Sequence, residues 1–439
     1  MRRGARELTS FSDSGALARV PARSCRRNVA ELGRARFGAP TREMYLRTGA
    51  RTLFRRTIRA MKRYALPPSP RADRALRLLA GLTPAQFMRR HWQKKPLLIR
   101  RAIPGFGPLL TRAQLFALAA REHVESRLVA RETRARWTVE HGPFARSALP
   151  PVDRPRWTLL VQGVDLHDDT AHALLQSFRF VPDARLDDLM MSWASPGGGV
   201  GPHADSYDVF LLQAQGRRRW RIGRQKDPSL KPGVPLKILR NFVAEQDFVL
   251  EPGDMLYLPP RWAHDGVAEG GECMTYSIGF HAPRRGALSA DLAQRLADSY
   301  DHDLLYRDPG LAPTRRPARI PRDLRDFAVD AVRRLVEPRR LARAFGEALT
   351  EPKPGATFDE PGARWTPGDV ALDRRTRMMY DERHVFINGE CHRAAGDHAR
   401  VLRRLADERR LDRRAVRDAG AATRALLARW YRAGWVRFP

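Results

Sequence analysis

The sequence predicts an α+β chain built around an antiparallel β barrel or sandwich, and three observations predict it. Between Trp157 and Phe280 short β-type runs follow one another, separated by Gly, Pro and Asp at turn-like spacing. After Pro283 the apolar residues change to helical spacing, with Leu288, Leu292 and Leu296 at i, i+4. From about residue 364 a strand-like stretch, Tyr380 to Gly389, precedes two helical stretches, Ala399 to Arg409 and Ala421 to Trp430. That order fits a small winged-helix-like module.

The elements follow in order. Residues 1–72 have little sustained periodicity and end at Pro67, Pro68 and Pro70, which reads as a weakly ordered tail with one short, strongly basic helical stretch, Met44 to Tyr64. Thr83 before ProAlaGlnPheMet is a capped helix start, and Lys95-Pro96 leads into the strand Leu97 to Ile99. A helix is expected between Thr111 and Ala120 and a strand from Arg136 to Glu140. The barrel strands are Trp157–Val161, Leu189–Trp193, Val209–Gln213, Trp220–Ile222, Phe248–Leu250, Met255–Leu258 and Met274–Phe280, with a turn at Ala214, Gln215 and Gly216. Residues 286 to about 350, which include Phe327, Leu335, Leu341 and Phe345, read as all-helical.

Composition narrows the function classes. The 439 residues are 43% hydrophobic with nine Trp, an ordinary globular balance. A net charge of +31 suggests nucleic acid at first sight. Yet of 80 basic residues only Lys62, Lys94, Lys95, Lys226, Lys231, Lys237 and Lys353 are Lys, and Arg is spread through every segment. That skew fits an Arg-favouring genome better than a selected binding face. Cys25, Cys273 and Cys391 lie far apart and form no CxxC pair, so a disulfide framework and a zinc ribbon are not indicated and a reducing, cytoplasmic setting is expected. No apolar run reaches the roughly 18 residues of a membrane span. The first 70 residues hold 17 Lys/Arg against four Asp/Glu, the composition of a transit peptide, a basic tail or an upstream start with Met61 as the alternative.

The chemistry sits in Pro196 to Trp220. His203 and Asp205 stand two residues apart, so on a strand their side chains point the same way. A third ligand would complete the two-histidine, one-carboxylate face that holds Fe(II) and leaves other positions open. His264 is that third ligand, delivered beyond the strand Met255–Leu258 by Pro259 and Pro260, whose fixed φ angles stiffen its approach. Gly197, Gly198, Gly199 and Gly201 are read as letting the backbone pass close to a metal or substrate; a phosphate loop would need a following Lys-Ser/Thr. His141, His167, His172, His281 and His384 lack such framing. If Arg217 to Ile222 is extended, Arg218, Trp220 and Ile222 share a face opposite Arg217, Arg219 and Arg221. A guanidinium among apolar neighbours needs an anion, either a protein carboxylate or that of a co-substrate.

His203-Ala-Asp205, Arg218, the Pro252-Gly253-Asp254 turn and His264 together resemble the Jumonji-C oxygenases, and within them the bacterial ribosomal oxygenases. The likeness covers about residues 75–439 and includes HisTrpGlnLysLysPro at 91, SerArgLeuVal at 126, HisGlyProPhe at 141, AspAspLeuMet at 187 and TyrSerIleGlyPhe at 276. It implies a double-stranded β-helix (jelly-roll) core, a helical dimerisation segment and a C-terminal winged-helix-like domain, dividing the chain into 1–72, 73–285, 286–355 and 356–439. The resemblance implies Fe(II) on His203, Asp205 and His264, 2-oxoglutarate bound by Arg218 and contacted by Ser192, O2 as second co-substrate, and hydroxylation of an arginine of ribosomal protein L-sixteen by a homodimer. Thr275 departs from the Asn of the close bacterial pattern, and residues 1–72 have no counterpart.

Other readings stay open on the residues themselves. One is the same oxygenase chemistry on another basic protein or on RNA, with Asp208 and Asp265 as the carboxylates near the pocket. Another is a non-enzymatic nucleic-acid or ribosome-binding module that uses the basic N-terminus and the tail from Arg364.

Overall fold

Two long strands organise the first part of the molecule. The computed structural model describes residues 73–133, 136–299 and 304–439; the N-terminal extension and its expected helix Met44 to Tyr64 lie outside them. A ten-stranded antiparallel sheet is built from β1 (Leu97–Ile99), β2 (Ser126–Arg131), β3 (Trp137–His141), β4 (Trp157–Val161), β5 (Leu186–Ala194), β6 (His203–Ala204), β7 (Val209–Gly223), β8 (Gln246–Leu250), β9 (Met255–Leu258) and β10 (Ala263–Phe280). Val209–Leu212 of β7 pair with β9, whereas Arg218–Ile222 pair with β8. β10 behaves in parallel: its start lies between β6 and the second half of β7, its end between β5 and the first half. The sheet therefore curls over on itself as a jelly roll.

The expected turn at Ala214, Gln215 and Gly216 is instead a bend inside one continuous 15-residue strand. Gly216 adopts φ +65°, and β10 shifts register at the same level, between Glu269 and Met274. Both strands bend together, so pairing resumes beyond the irregularity. β10 is likewise longer than the sequence suggested, because Gly266, Gly270 and Gly271 mask its first half.

The core explains why the remaining pieces lie where they do. Thr83 and Gln86 form a capping box that starts the helix Pro84–Arg90. That helix inserts the fully buried Phe87 against Tyr257 and Phe210, with ring centroids 4.9 and 5.5 Å away. Burying such a ring stabilises by about 2–3 kcal/mol. A second capping box, Thr111 with Gln114, opens Arg112–Ala119.

Beyond the sheet come the helices Arg285–Asp298, Arg322–Leu335 and Pro338–Thr350. The expectation of an all-helical segment fails at 304–321, which holds no helix. Pro309, Pro313, Pro317 and Pro321 recur every four residues there, and each removes a helical donor. The C-terminal part holds two three-stranded sheets. One joins β11 (Val370–Leu372), β15 (Arg410–Leu411) and β16 (Val436–Arg437); the other joins β12 (Met378–Tyr380), β13 (His384–Ile387) and β14 (Glu390–Arg393). Leu402, Leu405, Leu427 and Trp430, fully buried, fill the space beneath the helices Gly396–Glu408 and Ala421–Arg432. A third short helix, Arg413–Asp418, capped by Asp412, was not expected. No described helix is long and apolar enough to cross a membrane.

Candidate metal centre and anion site

His203 begins β6, and its backbone pairs directly with His264 at the start of β10. The imidazole centroids stand 4.3 Å apart. Nδ1 of His203 lies 2.8 Å from the Gly201 carbonyl, and Nδ1 of His264 lies 3.0 Å from that of Trp262. A carbonyl only accepts, so each ring carries its proton on Nδ1 and presents the Nε2 lone pair. Both Nε2 atoms face the Asp205 carboxylate, at 3.9 and 3.7 Å. Among the described residues this is the one group of ligating side chains able to surround a metal ion, all its donor atoms lying within 4.8 Å of one another. Two imidazole nitrogens and a carboxylate on one face suit Fe(II) with open positions.

Local backbone geometry holds the arrangement. The Arg261 N–H donates to the Asp205 carbonyl at 2.7 Å, so the Pro259-Pro260-Arg261-Trp262 turn ties down Asp205 while it offers the Trp262 carbonyl to His264. Burial, reinforced by the adjacent His203, pushes the His264 pKa down to about 4. The ring is therefore neutral at physiological pH, as a ligand must be.

Alternation on β7 places Arg218, Trp220 and Ile222 inward and Arg217, Arg219 and Arg221 outward. They face Ala268, Gly266 and His264 in turn across β10. Gly266 is required here: a Cβ would lie 2.6 Å from the Trp220 ring and 2.8 Å from Arg218 Nε. Arg218 is 4% exposed. Its Nη2 donates to the Gly266 carbonyl at 3.0 Å and its Nη1 to the Thr275 hydroxyl at 3.5 Å, while Nε has no partner. No carboxylate among the described residues pairs with it, so a buried protein salt bridge is excluded. Ser192, on β5, pairs with Thr275 across β10 and donates to its carbonyl at 3.1 Å. A buried cation with spare donors, beside hydroxyls and on the same wall as a metal-binding face, is chemically complementary to a carboxylate.

Three expectations change. Gly198 and Gly199 accommodate protein backbone, not a ligand: a Cβ on Gly198 would strike the Trp157 carbonyl, and one on Gly199 would lie 2.5 Å from that of Gly266. Asp208 is fully buried and already taken by the Tyr257 hydroxyl at 2.6 Å and the Gln93 amide at 3.0 Å. Asp265 is bound to Arg221 at 2.5 Å. Neither is open to a substrate. His141, His167, His172, His281 and His384 join no ligating group.

Asp188 was overlooked. It shares one side of β5 with Met190 and Ser192. The carboxylate accepts from the Gly163 N–H at 2.8 Å but has no ion-pair partner among the described residues. Burial, and then the neighbouring Asp187, raise its pKa to about 7. The Asp205 carboxylate, then burial and then Asp188 push the Tyr207 phenol's pKa up. The AspAspLeuMet run was visible, but which Asp turns inward depends on register.

Comparison with known proteins supplies the context. Residues 173–288 match the JmjC domain and residues 330–437 a ROXA-like winged helix. The chain is 35% identical over 286 residues, 65% of its length and 76% of the relative's, to ribosomal protein uL16 3-hydroxylase of Escherichia coli (strain K12). It is 30% identical over 368 residues to the probable ribosomal oxygenase of Haemophilus influenzae, covering 75% of this chain and 87% of that one. The crystal structure of E. coli YcfD superimposes with a TM-score of 0.72 at 32% identity, covering 82% of this chain and 98% of that one. The same E. coli ribosomal oxygenase in complex with cobalt and 2-oxoglutarate gives a TM-score of 0.69 at 32% identity, with 81% and 98% covered.

Proposed function

The chain belongs to the JmjC-domain ribosomal oxygenases, and on that premise we propose that it is an Fe(II)- and 2-oxoglutarate-dependent dioxygenase, a peptidyl-arginine 3-hydroxylase of large-subunit ribosomal protein uL16. The observation that carries the chemistry is the unpaired, buried Arg218 guanidinium on the same wall as the His203, Asp205 and His264 donor set. His203, Asp205 and His264 would hold Fe(II), the Nδ1 hydrogen bonds fixing the tautomer that ligates. When bound, Fe(II) with 2-oxoglutarate and O2 supplies oxidation of a C–H bond, 2-oxoglutarate leaving as succinate and carbon dioxide.

The chain's own residues bind and orient. Arg218 receives the distal carboxylate of 2-oxoglutarate through paired N–H donors, and Ser192 borders it. Asp188 supports a cationic substrate side chain: a guanidinium seated beside it would favour the carboxylate form that burial now disfavours. Trp220, between Arg218 and His264, excludes water from that wall.

A homodimer is part of the same reading. The helix Arg322–Leu335 turns Leu324, Val329 and Val332 to solvent at 40, 43 and 59% exposure. An apolar helical stripe this open favours a second copy over water. The charge-bearing replacement Val332→Glu should lower the mass seen by light scattering from dimer to monomer, and an unchanged mass would count against the dimer. Action on a ribosomal protein supports a cytoplasmic location.

The test is anaerobic titration with Fe(II) and 2-oxoglutarate, followed by O2 and a uL16 peptide. One oxygen should appear on an arginine for each succinate formed, as read by mass spectrometry. Failure to bind iron, together with tight and salt-sensitive RNA binding, would move the assignment to a nucleic-acid-binding module.

A further inference from the structure

Four polar residues lie in a row through an otherwise apolar interior. Gln213, Thr275, Ser192 and Arg218 are 0, 2, 5 and 4% exposed. Gln213 and Thr275 face each other across β7 and β10. Burying a neutral amide in a strand that otherwise reads Val209, Phe210, Leu211, Leu212 and Ala214 is costly unless every group is satisfied.

The row has a direction. The Gln213 amide nitrogen donates to the carbonyls of Gln215 and Gly216, at 2.8 and 3.2 Å. Both acceptors come from the bend in β7, where Gly216 takes φ +65° and a Cβ would collide with the Glu272 carbonyl. Two acceptors on one side leave the amide no choice of orientation, so its oxygen faces Thr275. The Thr275 hydroxyl donates its single proton to that oxygen at 2.9 Å. Its lone pairs then face Arg218, whose Nη1 stands 3.5 Å away and also reaches the Cys273 Sγ at 3.9 Å. A free hydroxyl could instead turn its proton toward the guanidinium; this one cannot.

We propose that Gln213 is a positioning residue for Arg218, acting through the Thr275 hydroxyl to hold the guanidinium in the orientation that receives the distal carboxylate of 2-oxoglutarate. This rests on the reading above that 2-oxoglutarate is the co-substrate. An Asn at position 275 would bring its own amide donors and acceptor; with Thr there, the single hydroxyl proton has to be committed elsewhere, and Gln213 is where it goes.

The experiment is calorimetric titration of the full-length, Mn(II)-loaded protein under nitrogen with two ligands. 2-Oxoglutarate carries both the metal-chelating end and the distal carboxylate, whereas 2-oxobutanoate has the same chelating end and a methyl in place of the carboxylate. Gln213→Leu and Thr275→Val should each weaken 2-oxoglutarate about five- to tenfold, the worth of one hydrogen bond. Both should leave 2-oxobutanoate within about twofold of wild type, since the metal end is untouched. The double variant should be no weaker than either single one if Gln213 acts through Thr275 and not through Cys273, which also touches Arg218, and Thr275→Ser should keep wild-type affinity. Equal weakening of both ligands would assign the row to packing alone and overturn the proposal. Unchanged 2-oxoglutarate affinity in Thr275→Val, its fold verified by circular dichroism, or additive losses in the double variant, would overturn it too. Wild type that loads Mn(II) yet prefers neither oxo acid over the other would overturn the co-substrate reading itself, a result distinct from a discriminating wild type with indifferent variants.

Discussion

Ion pairs between charged side chains are frequent at the junction of the β barrel with the C-terminal module and lacking around the donor set inside the barrel. At the junction several buried charges are paired, although Asp165 holds only the Leu189 N–H and Arg409 only backbone carbonyls. Arg179 meets Asp183 at 2.7 Å and also donates to the carbonyls of Ala406 and Asp407, at 3.0 and 2.5 Å. Arg374 reaches Asp169 at 3.4 Å, and Lys353 reaches Asp187 at 3.2 Å. In the barrel interior the pairing stops: Arg218 has no carboxylate, Asp188 makes no direct ion pair although Lys353 acts on it from nearby, and two imidazole nitrogens converge on Asp205. A charge left open in a dry interior costs stability. On the function proposed above, the missing partners are ligands: a metal, a dicarboxylate and a cationic side chain.

That contrast predicts that substitutions on the two sides separate binding from stability. The largest effect is expected at the metal face. Asp205→Ala should reduce O2-dependent succinate formation to the no-enzyme level, with iron content measured alongside; normal turnover in that variant would end the assignment. Next comes Arg218→Ala, expected to weaken 2-oxoglutarate roughly a hundredfold, the loss of a desolvated charge pair. Its thermal midpoint without ligand should not fall, because the guanidinium it removes has no counter-ion. Arg179→Ala should do the reverse. Removing a cation that satisfies Asp183 and two carbonyls should cost about 3 kcal/mol of stability and leave 2-oxoglutarate affinity unchanged. Matching losses of affinity and stability in both variants would erase the distinction.

Much of the interior could be read from sequence because its signals are local. His203 and Asp205 announce themselves by two-residue spacing, Arg218 by strand alternation, and His264 by the two prolines before it. Other parts depend on pairing that no local window contains. Gly216 resembles a turn residue, and only the matching irregularity in β10 turns it into a bend within β7. Gly198 and Gly199 invite a ligand reading until the Trp157 and Gly266 carbonyls are seen opposite them. Asp187 and Asp188 are indistinguishable in a list of residues, yet register sends one outward to Lys353 and the other inward. The break at 304–321 could have been foreseen from its four evenly spaced prolines, which outweigh the apolar periodicity on either side.

The smallest effect concerns Asp188, and its sign is the informative part. The carboxyl group's pKa is raised from 3.8 to about 7, chiefly by burial and then by Asp187. A carboxyl with a higher pKa in the folded chain than in the unfolded one binds its proton preferentially when folded. Its contribution is therefore most favourable below about pH 4 and is lost as the pH climbs through the window up to about 7. Asp188→Asn keeps an oxygen for the Gly163 N–H and removes the charge. It should raise the thermal midpoint at pH 8, by an amount on the order of 1 kcal/mol, and change little at pH 4. The same variant should lose affinity for an arginine-bearing peptide, most plainly at pH 8 where the wild-type carboxylate is ionised. A protein more stable at pH 8 and poorer at holding its cationic substrate is what an interior charge reserved for a ligand requires. A variant destabilised at pH 8 would place Asp188 with the paired charges of the junction instead.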